Sequence, residues 1–238
     1  MAAQLTTRQR ILAAGLTANA GFADGLFFIH LGGYFVSFMS GNSTRAAAAL
    51  AQGNHGEWLA ASFLIFSFII GVMLSSFAVR FGPKRFHQPA ETLLSNQIAP
   101  HGSAVWTAFF LMLMGGIATV IEPLTGLAPF IIASATGAIN GTFTRRGEVT
   151  VGLTYMTGTL VKMGQSLASA IALRSIVYLS RFLQYTLLWA AIAIGALLGA
   201  WAYVALGISA VWLSVLAMTV LSIMLTWRVK QRTDRNQD

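Results

Sequence analysis

The sequence has no cysteine and few charged residues. With 0 Cys among 238 residues, neither a disulfide nor a cysteine-ligated metal site is available. Charged residues make up only 9% of the chain, whereas a typical soluble domain contains about a quarter. Hydrophobic residues make up 56%. Because so few polar groups cannot cover the surface of a water-soluble protein, we expect the lipid bilayer to solvate most of the chain.

The sequence also lacks the motifs of common catalytic and metal sites. It contains no Walker, dinucleotide, G-x-S-x-G or H-E-x-x-H fingerprint, and its four histidines have no metal-ligand spacing. We therefore expect no enzyme activity, no metal site and no cofactor. The net charge of +8 does not indicate nucleic acid binding, because the basic residues lie between apolar stretches and not in one water-facing patch.

Long apolar stretches make up most of the remaining sequence. Six of them have the length needed to cross a bilayer, which is about 17–25 mostly apolar residues. They are 11–31, 58–80, 104–121, 126–143, 183–204 and 207–228. Two further stretches, 34–52 and 150–173, each contain a polar interruption in apolar surroundings. The sequence predicts an all-α membrane protein with six transmembrane helices.

The Lys and Arg residues indicate whether the two further stretches cross the membrane. If both enter the bilayer and return to the same side, thirteen of the fifteen Lys and Arg fall on one side. If both cross, the split becomes eight against five. Because cytoplasmic loops retain positive charge, the first arrangement fits better. It predicts two re-entrant or half-helix segments and places both termini, 81–103 and 174–182 in the cytoplasm.

The two polar interruptions belong to an internal repeat. FMSGNST at 38–44 matches YMTGTLV at 155–161, and GFADG at 21–25 matches GAING at 137–141. These matches place Asp24 opposite Asn140, and Arg45 opposite Lys162.

The repeat divides the membrane domain into 11–121 and 126–228. Each half contains three predicted spans, an odd number, so the halves must insert with opposite orientations. This is the inverted-topology plan of many transporters, whose binding sites lie near the midplane.

Each motif is predicted to begin a short helix near mid-depth, because hydroxyl and amide residues beside Gly are good N-caps. The first helix would start within Ser40–Ser43, with Asn42 as its first residue, and run to about Gln52, and Thr159 would begin its counterpart. Two helix N-termini pointing to the bilayer centre would offer unpaired N–H donors and partial positive charge to an anionic solute. The residues expected to bind that solute are Asp24, Ser40, Gly41, Asn42, Arg45, Asn140, Thr157, Gly158, Thr159 and Lys162. Asp24 is also expected to couple binding to a proton by switching between pairing and protonation.

Purely structural interpretations stay open for these polar residues. Small residues in membrane helices allow close packing, and hydroxyl groups join helices by weak hydrogen bonds. We assign Gly195 and Gly199, a G-x-x-x-G pair, to such packing. Asp24 could equally form a structural ion pair with Arg45 or Lys162, or be protonated in a hydrogen bond.

The segments GFADG, LGGYFVSFMSGNSTR and TYMTGTLVKMGQ resemble the YoaK-like family of uncharacterised bacterial membrane proteins. The resemblance covers nearly the whole chain and implies a six-span protein of the bacterial inner membrane. It implies no substrate and no functional residues.

These observations predict a protein that moves a small anionic solute across the inner membrane, either as a carrier or as a channel with an aquaporin-like plan. The alternative is a non-transporting membrane protein, such as a sensor, an assembly factor or a subunit of a complex. A transporter should have a polar cavity at the motifs, whereas an interaction protein should have them packed dry. The sequence allows a homo-oligomer and does not decide the oligomeric state.

Overall fold

The computed structural model describes residues 5–82, 100–145, 148–149 and 151–235, and these residues are almost entirely helical. The helices are α1 (Thr7–His30), α2 (Met39–Ala51), α3 (His55–Phe81), α4 (Gly102–Ala118), α5 (Ala128–Ile139), α6 (Met156–Leu173), α7 (Ile176–Leu206) and α8 (Val211–Arg235). Short 3-10 segments at Glu122–Leu127, Asn140–Phe143 and Gly207–Ala210 adjoin them. The strands β1 (Thr144–Arg145) and β2 (Glu148–Val149) form a small antiparallel hairpin.

Among the described residues, four helical stretches are long and apolar enough to cross a membrane. They are Thr7–His30, His55–Phe81, Glu122–Phe143 and Ile176–Thr226, and the last contains α7 and most of α8. Helix α4 is a shorter apolar helix. Each of the six predicted spans thus lies on helical structure. Large apolar side chains such as Phe63, Phe66, Trp201 and Val204 are more than half exposed, which is expected of surfaces that contact lipid.

Polar capping groups set the starts of α1 and α3. The Thr6 hydroxyl accepts a hydrogen bond from the Gln9 N–H, and the Gln9 side chain accepts one from the Thr6 N–H. The Asn54 side chain accepts a hydrogen bond from the Glu57 N–H at 3.2 Å. Both arrangements satisfy backbone donors that the first helical turn leaves unpaired.

Glycines allow two pairs of helices to pack with their backbones in contact. Between α1 and α7, a Cβ added to Gly25 would lie 1.9 Å from the Ala196 carbonyl oxygen, and one added to Gly199 would lie 2.0 Å from that of Phe22. A Cβ added to Gly195 would lie 2.1 Å from the Ala18 carbonyl oxygen. The predicted packing role of Gly195 and Gly199 is therefore confirmed, since any side chain there would force the helices apart.

Helices α3 and α5 pack in a similar way, and they occupy the places in the sequence repeat that correspond to α7 and α1. A Cβ on Gly71 would lie 1.8 Å from the Ser134 carbonyl oxygen, and one on Gly137 would lie 2.2 Å from that of Phe68. Gly21 in α1 corresponds to Gly137 in α5. In addition, α2 packs on α3 as α6 packs on α7, and α4 contacts α5 as α8 contacts α1.

The two motif helices differ from the prediction in their starts and lengths. They begin at Met39 and Met156, three residues before the expected starts at Asn42 and Thr159. Helix α2 has 13 residues, about 20 Å, as expected of a short helix. Helix α6 has 18 residues, about 27 Å, close to the full thickness of a hydrocarbon core, so the prediction of a short second helix is wrong. Helix α7 itself starts at Ile176, so most of the predicted 174–182 connection is helical.

Candidate functional site

A loop after α1 folds back along the helix and is held by Asp24. The Asp24 Oδ1 atom accepts hydrogen bonds from the backbone N–H groups of Val36 at 2.8 Å and Ser37 at 2.7 Å. The Ser37 hydroxyl bonds to the second carboxyl oxygen. Because Asp24 lies six residues before the end of α1, about 9 Å along its axis, residues 31–38 return into the helical layer. Gly32 and Gly33, with φ of 66° and 103°, allow the reversal.

A second loop, before α6, is held by Asn140 in the corresponding way. The Asn140 Oδ1 atom accepts a hydrogen bond from the Thr154 N–H at 3.3 Å, and its Nδ2 atom donates to the Thr154 hydroxyl at 3.1 Å. Nδ2 also lies 3.2 Å from the Thr136 carbonyl oxygen. Asn140 and Thr154 are buried. The residues that the repeat aligns, Asp24 with Asn140, thus make the same type of contact with the loop that follows each of them.

Each loop is joined to the opposite half of the chain by the hydroxyl group of one threonine. The Thr17 hydroxyl on α1 donates to the Leu153 carbonyl oxygen at 3.2 Å. The Thr136 hydroxyl on α5 donates to the Val36 carbonyl oxygen. Val36 and Leu153 occupy equivalent places in the repeat, and both threonines are fully buried. We call these two hydrogen bonds the cross-ties.

The motif side chains satisfy nearby backbone groups and do not cap their helices. The Asn42 side chain accepts from the Phe35 N–H at 3.0 Å and donates to the Phe35 carbonyl at 2.6 Å. The Thr159 hydroxyl donates to the Tyr155 carbonyl at 3.1 Å. The N-cap residues are Phe38 and Tyr155, and in the described structure neither makes a side-chain capping bond. The prediction that the hydroxyl and amide side chains of the motifs cap these helices is therefore wrong.

The small motif residues have different surroundings in the two halves. The rings of Phe35 and Phe38 pack against Gly41, where an added Cβ would lie 2.8 Å from each. An added Cβ at Gly158 would meet nothing within 4 Å among the described residues. Ser40 and Thr157 are both exposed. The glycine of the first motif is thus packed against aromatic rings, whereas the glycine of the second is open, and each motif exposes a hydroxyl residue beside its glycine.

Arg45 and Lys162 do not contact Asp24 in this structure. Arg45 donates to the Gly33 carbonyl oxygen at 3.0 Å, its guanidinium lies 4.1 Å from the centre of the Tyr34 ring, and it pairs with Glu57 at 3.9 Å. Lys162 is exposed and makes no ion pair within the described part of the chain. The structural ion pair suggested for Asp24 is therefore not formed. The alternative of a hydrogen-bonded Asp24 agrees with the observed contacts.

Ser37 and Thr154, the hydroxyl partners of Asp24 and Asn140, were not among the predicted site residues. The signal was present, because the repeat extends further towards the N-terminus, as SFMSG at 37–41 and TYMTG at 154–158. Ser37 and Thr154 therefore align in the repeat. The repeat gives no such signal for the cross-tie threonines, because Thr17 and Thr136 do not align. When the two halves are aligned, their positions differ by about one helical turn.

Comparison with known proteins identifies an uncharacterised family. A family model described as "Protein of unknown function (DUF1275)" matches residues 12–224. The chain is 28% identical over 216 residues to "UPF0700 transmembrane protein RA0705" of Rhizobium meliloti (strain 1021), covering 89% of this chain and 83% of that protein. No solved structure matches the chain. The matches confirm the expected type of family, and together with the apolar helices they indicate a multi-pass membrane protein.

Proposed function

This chain belongs to the DUF1275 family of proteins of unknown function, and we propose a function for it from its geometry. We propose that it is a six-span transport protein of the bacterial inner membrane, with both termini in the cytoplasm, that moves a small anionic solute. The observation that carries this proposal is the pair of loops that fold back beside Asp24 and Asn140, each followed by a helix. Non-helical backbone is tolerated at membrane depth where protein or a water-lined cavity satisfies it, and broken helices are typical of transporter binding sites.

The repeated contacts support an inverted arrangement of 11–121 and 126–228. Equivalent residues hold equivalent loops, the glycine contacts recur in the two helix pairs, and the cross-ties join each half to the other. A two-fold axis in the membrane plane, passing between α1 and α5, would relate the loop contacts and the glycine contacts to their counterparts, and would relate the cross-ties approximately. Such an axis places the loops against each other, where movement of one half would change the exposure of both.

The proposed solute site consists of the N-termini of α2 and α6 with the loops that precede them. Neither helix has a side-chain cap within the described residues. The Gly41 and Met156 N–H groups donate to the Phe38 and Thr154 carbonyls, so the other first-turn N–H groups are the ones that would bind an anion. Ser40 and Thr157 add exposed hydroxyl groups. Arg45 and Lys162 lie six residues into their helices and would contribute positive potential to the path towards the loops.

One observation favours the alternative, a non-transporting membrane protein. The polar groups of Asp24, Asn140 and the two cross-tie threonines are hydrogen-bonded to the protein. In a transporter this state is a closed one, in which the loops seal the centre. In a sensor or an assembly factor, the same contacts would be permanent.

Anion binding followed by flux measurement distinguishes these two functions. We expect at least one member of a panel of inorganic and small carboxylate anions to raise the melting temperature of the purified protein, and the labelled anion to exchange across proteoliposomes. Arg45→Gln and Lys162→Gln should each abolish the stabilisation. The matched control is Arg181→Gln, because Arg181 also lies over a tyrosine ring, that of Tyr178 at 5.2 Å, but outside the proposed site. Exchange equal to that of empty liposomes for every stabilising anion, or no stabilising anion, would overturn the proposal.

A further inference from the structure

A cavity of about 390 Å³ lies where α1 ends, beside the first loop and the start of α3. Its polar lining comes from His30, Tyr34 and Thr125, and apolar side chains such as Leu64 and Phe130 form much of the rest. Sites for small molecules typically have volumes of about 300–1,000 Å³, with mostly apolar walls and a few polar groups. The cavity has the size and lining of such a site.

Two of the polar groups are available as hydrogen-bond donors. The Tyr34 hydroxyl has no hydrogen-bond partner within the described residues, although the side chain is buried. The His30 Nδ1 atom lies 3.2 Å from the Tyr203 hydroxyl, so when Tyr203 donates, the imidazole proton is on Nε2 and can be donated. The Thr125 hydroxyl already donates to the Glu122 carbonyl at 3.0 Å. A ligand that presents acceptors to Tyr34 and His30 would satisfy both.

The lining of the cavity favours an anion over a cation. The Arg45 guanidinium covers one face of the Tyr34 ring at 4.1 Å and pairs with Glu57 at 3.9 Å, and no acidic side chain is among the described residues that line the cavity. A cationic ligand would find no carboxylate partner in this lining. A carboxylate would accept hydrogen bonds from the two donors, while Arg45, whose charge Glu57 offsets, would add only a weak attraction.

We propose that this cavity binds a small monocarboxylate with an apolar body. The carboxylate accepts hydrogen bonds from Tyr34 and His30, and the apolar body packs against Leu64 and Phe130. The role of this site rests on the proposed transport function. In the predicted topology, the cavity opens to the outer face of the membrane. It then serves as the outer binding site for the transported solute.

Benzoate, benzyl alcohol and benzylamine test the chemistry, because they share a ring and differ in charge. Titration calorimetry of the purified wild-type protein should show benzoate binding at least about tenfold more tightly than benzyl alcohol, the difference expected for charge-assisted hydrogen bonds. Benzylamine should not bind. Equal binding of benzoate and benzyl alcohol, or preferred binding of benzylamine, would overturn the assignment.

Two variants locate the binding. Tyr34→Phe removes one donor and keeps the ring, so benzoate should bind about tenfold more weakly. Ala60→Phe places a ring inside the cavity, whose lining includes Ala60, and should abolish binding. Ala47→Phe, on the exposed face of α2, is the matched control and should bind normally. The melting temperature without ligand shows whether each variant is folded. Benzoate binding that survives both cavity variants would place the ligand elsewhere and overturn the inference.

Flux separates this inference from the proposed function. If benzoate binds in the cavity but no anion is exchanged in proteoliposomes, the binding site stands and the transport proposal fails. If anion exchange is unchanged in folded Ala60→Phe protein, transport stands and the cavity is not its outer site.

Discussion

At the residue scale, the acid at position 24 is explained by the backbone that it holds. Asp24 bonds to Val36 N–H, Ser37 N–H and the Ser37 hydroxyl, all in one loop. Asn140 holds Thr154 in the other half with an amide. Because an amide suffices there, the main requirement at both positions is a buried acceptor at a fixed place on the helix.

Asp24→Asn is therefore expected to lower the free energy of unfolding by only about 1 kcal/mol, because its amide oxygen can still accept from both N–H groups. Asp24→Leu has a similar volume but leaves two buried N–H groups unpaired, and it should cost about 2–4 kcal/mol. Thermal unfolding in detergent, with Asn140→Asp as the reciprocal variant, measures these effects. A leucine variant as stable as the wild type would show that Asp24 does not hold the loop.

At the scale of the elements, local sequence pattern predicted the two motif helices but not where they begin. The N-cap rule favours Asn42 and Thr159, yet the helices start after Phe38 and Tyr155. The reason is a set of tertiary contacts. Asp24 and Asn140 fix the loops from a neighbouring helix, so the chain enters each helix earlier than its own polar residues suggest. A contact between residues 12 to 14 positions apart leaves no trace in local periodicity.

The cross-ties provide a prediction at the same scale. Thr136→Val removes the hydroxyl that bonds Val36, and it should increase hydrogen exchange in 31–38 about fivefold, as expected for the loss of about 1 kcal/mol of local stability. Thr17→Val should do the same to 151–155 only. Thr107→Val is the matched control, because its hydroxyl donates to Ser103 within α4. Mass spectrometry measures this exchange. If either variant affected both loops equally, or affected neither loop, the two cross-ties would not each hold one loop.

At the scale of the whole molecule, composition and apolar length predicted the class of protein and the positions of six helical regions. They did not predict the length of α6 or the early start of α7, because the span rule measures apolar length, whereas a helix continues for as long as its backbone bonds and its packing allow. The direct contacts of Arg45 with Tyr34 and Glu57 were also beyond prediction, since they join a loop, a helix and the start of another helix. Most of the predicted basic loop at 81–103 and the last three residues, 236–238, lie outside the described residues, and the side of the membrane on which the loop and the C-terminus lie stays a prediction.

Single-cysteine labelling tests that topology, since the protein has no cysteine of its own. Three glutamines serve as a matched set, Gln52, Gln88 and Gln237. Gln52 follows α2 and is exposed, and it is preferable to Asn54, whose side chain caps α3. Because thirteen basic residues share the side predicted to be cytoplasmic, a membrane-impermeant thiol reagent applied to intact cells should label Gln52→Cys alone. After lysis it should label all three. Labelling of Gln88→Cys in intact cells would mean that α2 or α6 crosses the membrane completely. The six-span inverted repeat, and the solute site that depends on it, would then be wrong.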